Sequence, residues 1–325
     1  MAMHTIHPEP ATLRGYLSRD LVPILTVEPG DTVRYQTLDA AWGAIEQAAN
    51  FAEPRAFEPR NTQQDAGHAI CGPVAVRGAE PGMVIEVFLR RVRTGRWGWS
   101  AGPALPSQLD TRLGIQGAAD GPPKVITLPH GAAATFWSLD PDQNVGTSRD
   151  QRSVRLRPFP GYLGLTPDEP GILSTFPPRP CGGNLDCKEL VEGSSLYLPV
   201  ALRGGQFWIG DGHAIQGDGE IAGPALACPL QEVEVEFRLH PELRLTNARA
   251  RTPTAWITFG FHHDLNEAAA QAAVEMVALM RELYRLETKM ALGLAGLVAD
   301  LRITQMVNGV RGVHAMLPHN AFGPF

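Results

Sequence analysis

Short apolar runs, broken every few residues by turn signals, constrain this chain more than any other feature. The signals include EPG, GAEPG, GPP, LPHG, DPD, FPG and DEPG, drawn from 34 glycines and 28 prolines. This punctuation is the pattern of many short strands. Strands are expected at 22–27, 32–36, 74–76, 84–92, 125–128, 133–139, 195–200, 206–209 and 233–239. Residues 232–239 read EVEVEFRL and alternate strictly, so one face should be buried and the other wet.

Helical signal is confined to the last third. After Asp264, a capping residue, Leu265, Ala269, Ala272, Met276, Leu279, Leu283 and Leu286 recur at spacings of three and four. Residues 288–301 read as a second, more buried helix, with only Lys289 and Asp300 charged, and Met276, Met280 and Met290 fall at core positions. Residues 302–307 then read as a strand. The expected class is mainly β (α+β), a sandwich or barrel with one or two C-terminal helices. Residues 1–240 would form the β-rich core carrying the site. Residues 241–325 would form an α/β portion packed on it, as a second domain or as part of the same one.

The chain has 325 residues, 44% hydrophobic and 19% charged, enough for a sizeable core. A net charge of −6 argues against nucleic acid as a partner. The one basic cluster, RRVRTGR at 90–96, reads as a solvated strand end. The four cysteines form no CxxC pair, which suits free thiols in a reducing cytoplasm. No run of eighteen apolar residues and no signal-like segment occurs, so a cytoplasmic protein without membrane spans is expected. The GxGxxG-like glycines follow no strand-to-helix transition, which speaks against a nucleotide site.

Chemistry concentrates between Arg179 and Gly223. Asn184, Asp186, Asp211, His213, Asp218 and Glu220 sit there among Gly182, Gly183, Gly210, Gly212, Gly217 and Gly219. Carboxylates and an imidazole gain nothing from burial unless paired or bound to a ligand. In GDGHAIQGDGE, Asp211 and His213 can share a strand face or converge in a turn. An imidazole with carboxylates is a ligand set for zinc or another divalent ion, and a spare Glu220 could act as general base. The alternative is a tight hairpin in which Asp218 and its neighbours only make turns. In GGNLD, Asp186 is a candidate ligand, Asn184 a candidate partner for a substrate amide, and Lys188 a candidate salt-bridge partner of Asp186. The double glycine Gly182–Gly183 admits close approach of a ligand. His68 reads as structural or as a ligand. Cys181 and Cys187 read as inert thiols or as nucleophiles with His213 as base. His262–His263 reads as a helix N-cap region or as ligands.

These segments resemble the acetamidase/formamidase family. The resemblance lies in PPRPCGGNLDCKELVEGSSLYLPV, GQFWIGDGHAIQGDGEIAG, GHAICGPVAVRGAEPGMVIEV and the closing DLRITQMVNGVRGVHAMLP. It implies jelly-roll-like β units and hydrolysis of a short-chain amide, a small-molecule substrate, to carboxylate and ammonia. It also implies a cytoplasmic homo-oligomer with a divalent metal. The family's polar core maps onto His68, Asn184, Asp186, Asp211, His213 and Glu220. Two positions depart from the family pattern. Ala227 stands where an acidic residue is common, and Cys181 stands where His or Asn often precedes GGN.

The expected mechanism follows. A divalent ion, most simply zinc, is held by His213 and Asp186 with Asp211 or His68, and activates water. Glu220 moves the proton, while Asn184 or the N–H of Gly182 or Gly183 steadies the oxyanion. Two alternatives remain. One is hydrolysis of a larger amide or amidine in a pocket lined by Trp137, Trp208 and Phe159. The other is a non-catalytic metal- or ligand-binding β protein.

Overall fold

The computed structural model describes residues 1–43, 57, 59–102, 108–114 and 133–323. Its strands build two large open sheets and a two-stranded ladder. The nine-stranded sheet runs Met3–Ile6, Thr32–Tyr35, Leu230–His240, Val84–Thr94, Ser195–Pro199, Arg249–Arg251, Ala255–His262, Arg311–Pro318 and Asp300–Gln305. It continues across residue 240, where Ser195–Pro199 pairs with Arg249–Arg251. The eleven-stranded sheet is organised about Phe207–Ile215, which pairs along one edge with Phe159–Leu165.

The two sheets share one core. Val33, Ile85, Val87 and Val235 from the first pack with Cys71, Val74, Leu163 and Ile209 from the second. Phe207 meets Phe237 edge-on at 5.1 Å between ring centroids, across the layers. The alternation in Leu230–His240 is realised. Val233, Val235 and Phe237 face the core, while Glu232 pairs with Arg91 at 2.9 Å and Glu236 pairs with Arg90 and Arg238. The basic cluster at 90–96 is thus a charge-paired strand end.

Most expected strands exist, with shifted ends. The largest shift is at the site: the strand expected at 206–209 runs from Phe207 to Ile215. Gly210 and Gly212, which suggested turns, lie inside it. A Cβ there would come within 2.5 Å of the Ala69 carbonyl oxygen and 2.4 Å of that of Cys228. Glycine is needed at both positions because neighbouring backbones press close. The strand expected at 125–128 lies outside the described residues.

One short helix, α1 (Gln108–Leu113), lies outside the last third. α2 (Leu265–Tyr284) is capped by Asp264, which accepts the Asn266 N–H at 2.8 Å. It buries Ala268, Ala272, Met276, Leu279 and Met280 against Val313, Ala315 and Leu317. The buried stripe is rotated from the expected one, and Leu283 is 38% exposed. α3 (Thr288–Val298) is not the buried helix its composition suggested. Only Ala291 is buried, and Met290, Leu292 and Leu297 are exposed. α3 touches the body along a single narrow line, so few of its apolar side chains reach the core. Among the described residues no helix is long and apolar enough to cross a membrane.

His314, on Arg311–Pro318, has no solvent exposure. Its Nδ1 bonds Thr304 Oγ1 at 2.8 Å, its Nε2 has no partner, and burial pulls its pKa down to about 4. In the unfolded chain a histidine protonates near 6.5. The unfolded chain therefore binds the extra proton first, and stability falls as pH drops from about 6.5 toward 4. Urea unfolding across that window should show a loss of roughly 3 kcal/mol that His314→Asn does not show.

Candidate metal centre

The partner of Phe207–Ile215 changes halfway along its second edge. Phe207, Ile209 and Gly210 pair with Ile70–Val76, whereas His213 and Ile215 pair with Leu226–Ala227. Asp211 sits in the gap between these partners, with φ of 51°. Because Ile70 lies opposite Gly210, the residue two before it, His68, arrives beside Asp211. Its Nε2 lies 4.0 Å from Asp211 Oδ2. Thr175 Oγ1 holds both the His68 backbone N–H and Nδ1, each at 3.0 Å.

Asp186 and Glu220 close the group. One ligand atom each from Asp186, His213 and Glu220 lies within 4.8 Å of the others, and all three residues are buried. Asp186 (φ 49°), Asp211 (51°) and Glu220 (48°) all adopt left-handed backbone. Such conformations cost of order 1–3 kcal/mol each and persist where the surroundings enforce them. Gly161 makes the convergence possible, since a Cβ there would lie 2.8 Å from Asp186 Oδ1 and 2.9 Å from Asp211 Oδ2.

The orientation of each group is fixed by neighbours. Gln216 Nε2 donates to the Asp186 carbonyl oxygen at 2.8 Å and to that of Thr304 at 3.4 Å. Its Oε1 must therefore accept from His213 Nδ1, at 2.9 Å. That places the proton on Nδ1 and turns Nε2 toward Asp211 Oδ1 at 3.2 Å. Asn308 Nδ2 donates to Asp186 Oδ2 at 2.6 Å, and the Ala225 N–H donates to Glu220 Oε1 at 3.1 Å. Asp186 Oδ1 and Glu220 Oε2 remain buried without any partner. The turn bearing Glu220 is tied to the end of the strand Asp300–Gln305, as Gly219 N–H donates to the Thr304 carbonyl and Met306 N–H to the Gly219 carbonyl, both at 3.1 Å.

Burial pushes Glu220 well above the carboxylate range, and the charges of Asp186 and Asp211 push the same way. Burial raises Asp186 to about 7 against the pull of His213. Asp211 goes the other way, because His213 and His68 outweigh its burial. Burial disfavours the charged His213 ring, yet Asp211 and Asp186 carry its pKa to about 9. His68 is lowered by burial. Two carboxylates with orphaned oxygens and an imidazole with a directed nitrogen could hold a metal ion.

The remaining candidates stand as follows in the fold. Asn184 lies opposite Tyr162 in the sheet, buried, with Oδ1 unpartnered. Gly182 and Gly183 form the same short strand, and the Gly182 N–H is taken by the Arg179 carbonyl at 2.9 Å. Trp208 is fully buried with Leu17, Ile70 and Tyr162, its indole N–H on Thr166 Oγ1 at 2.8 Å. Lys188 pairs with Asp218 at 2.9 Å rather than with Asp186. Cys181 and Cys187 are buried, with thiols pushed up to about 11 and about 12, unlike activated nucleophiles. His262 Nδ1 accepts the Asp264 N–H and His263 bonds the Gly309 carbonyl, as parts of the α2 cap region. Sequence reasoning missed Gln216, Asn308, Thr175 and Gly161. Only Asn308, in an Asn-Gly turn, carried a local signal.

Comparisons with known proteins agree with this architecture. A sequence model described as the Acetamidase/Formamidase family matches residues 9–170 and 169–248. A formamidase of Methylophilus methylotrophus is 27% identical over 240 residues, covering 62% of this chain and 58% of that protein. An acetamidase of Mycolicibacterium smegmatis is 49% identical over 262 residues, covering 62% and 59%. The chain thus spans under three fifths of the length of these relatives. An acetamidase structure from Yersinia enterocolitica superposes with a TM-score of 0.79 at 25% identity, covering 97% of this chain and 92% of that one. A predicted acetamidase/formamidase from Thermoanaerobacter tengcongensis shares the fold, with a TM-score of 0.78 at 21% identity, covering 98% and 96%. With the family model covering well over half of its residues, the chain belongs to the Acetamidase/Formamidase family.

Proposed function

We propose that this chain hydrolyses short linear amides of the formamide or acetamide type to carboxylate and ammonia. The observation that carries this reading is the buried group of Asp186, His213 and Glu220, two of whose oxygens have no partner. Relatives named formamidase and acetamidase point to the amide C–N bond.

In this reading Asp186 and His213 hold a divalent cation, most simply zinc, with Asp211 and His68 beside it. When bound, such a cation supplies Lewis acidity, drawing the pKa of a water toward about 7 and polarising the amide carbonyl. The charges of Asp186 and Asp211, which favour neutral Glu220, would be offset by a bound cation, and the ionised Glu220 Oε2 would then take a proton from water and deliver it to the departing nitrogen. Asp211 stays anionic and steadies His213. Asn184, with its buried free Oδ1, is assigned to the substrate amide. Because the Gly182 N–H is already taken, Gly183 is the remaining glycine assigned to lie against substrate.

The reading includes a cytoplasmic, homo-oligomeric enzyme. Four unpaired cysteines support the compartment, and the exposed apolar side chains of α3 support the assembly.

Glu220→Gln should keep the bound cation and lower kcat by about 10²–10⁴. Ammonia release paired with elemental analysis checks this, and loss of the cation in the variant would make Glu220 a ligand instead of the base. Gln216→Leu frees the His213 tautomer and should weaken cation affinity by about 10–100-fold in a chelator competition.

A further inference from the structure

A cleft of about 480 Å³ lies next to His68, bordered by Gly67 and Phe176, and its size is within the usual range for small-molecule sites. Tyr16, Leu173 and Phe176 give it an apolar lining, and Gln63, Gln64 and Ser174 a polar one. None of the three aromatics expected to line a pocket, Trp137, Trp208 and Phe159, borders it. Gly67 and Phe176 belong to its lining, and both adjoin His68: Gly67 precedes it in the chain, and the Phe176 ring lies 4.6 Å from the His68 ring, centroid to centroid. Thr175, which fixes His68, leaves no space at Gly67, where a Cβ would come within 2.1 Å of Thr175 Oγ1. Among the described residues, the cleft and the centre thus adjoin at the Phe176–His68 contact, with Asp211 Oδ2 4.0 Å from His68 Nε2.

The cleft offers far more room than a one- or two-carbon amide fills. We propose that it receives the acyl chain of linear amides longer than acetamide, and that Phe176 is the side chain that sets which acyl groups reach the centre. This specificity rests on the amide-hydrolase reading. The route from cleft to His68 does not.

Two measurements separate these statements. The first compares kcat/KM for acetamide, hexanamide and benzamide in the natural protein, Phe176→Ala and Phe176→Trp. The larger Trp ring should lower the hexanamide-to-acetamide ratio by about tenfold or more, and Ala should raise the benzamide-to-acetamide ratio comparably. Ratios unchanged in variants that still hydrolyse acetamide would overturn the specificity proposal. The second measures carbethoxylation of His68 by diethyl pyrocarbonate, mapped by mass spectrometry, with exposed His7 and His262 as internal references. His68 should react faster in Phe176→Ala and slower in Phe176→Trp, whether or not any amide is turned over. A His68 rate indifferent to both variants would overturn the route. Hydrolysis of no amide by the natural protein would overturn the specificity and the amidase reading together, leaving the route to the labelling result.

Discussion

Everything around the centre depends on bringing three carboxylates and an imidazole out of water at one point in a β-sandwich. Burying like charges is costly unless something neutralises them. The fold responds by opening a gap in the ladder at Asp211, where the strand exchanges one edge partner for another. It forces Asp186, Asp211 and Glu220 into left-handed backbone and keeps Gly161 bare beneath them. These are local concessions that an ordinary sheet would not retain.

The electrostatic result is a division of labour. Asp211 is held in its charged form by two histidines, while Glu220 is driven toward its neutral form by burial and by its neighbours. Environments that separate the proton affinities of adjacent carboxylates mark acid–base sites. Gln216 adds direction, because its amide is pinned at one end by two carbonyls and so dictates which nitrogen of His213 faces Asp211.

Part of this was legible in the sequence. The turn-punctuated apolar runs gave the β class, the alternation of 232–239 gave a half-buried strand, and Asp264 gave the start of α2. The density of carboxylates and His213 among glycines pointed to the centre. What misled was the meaning of glycine. Gly210 and Gly212 look like turn residues in one dimension, yet they serve close packing between strands. Composition misled at α3, where apolar residues face outward. The roles of Asn308 and Thr175 arise from partners that only the fold brings near, across 122 residues for Asn308 and Asp186 and 107 for Thr175 and His68, and Gln216, though three residues from His213, is fixed by the distant carbonyls of Asp186 and Thr304.

The clamp made by Thr304 and Asn308 has a consequence for biosynthesis. Asn308 anchors Asp186, and Thr304 receives both Gln216 and the turn that carries Glu220. A nascent chain still lacking these residues already contains Asp186, His213 and Glu220 but lacks the bonds that fix the Asp186 carboxylate and the turn bearing Glu220. Pairings of such long sequence separation form late and slowly. The centre therefore matures only after translation has passed Asn308, and a growing chain that stops short of it presents these donors without their final alignment.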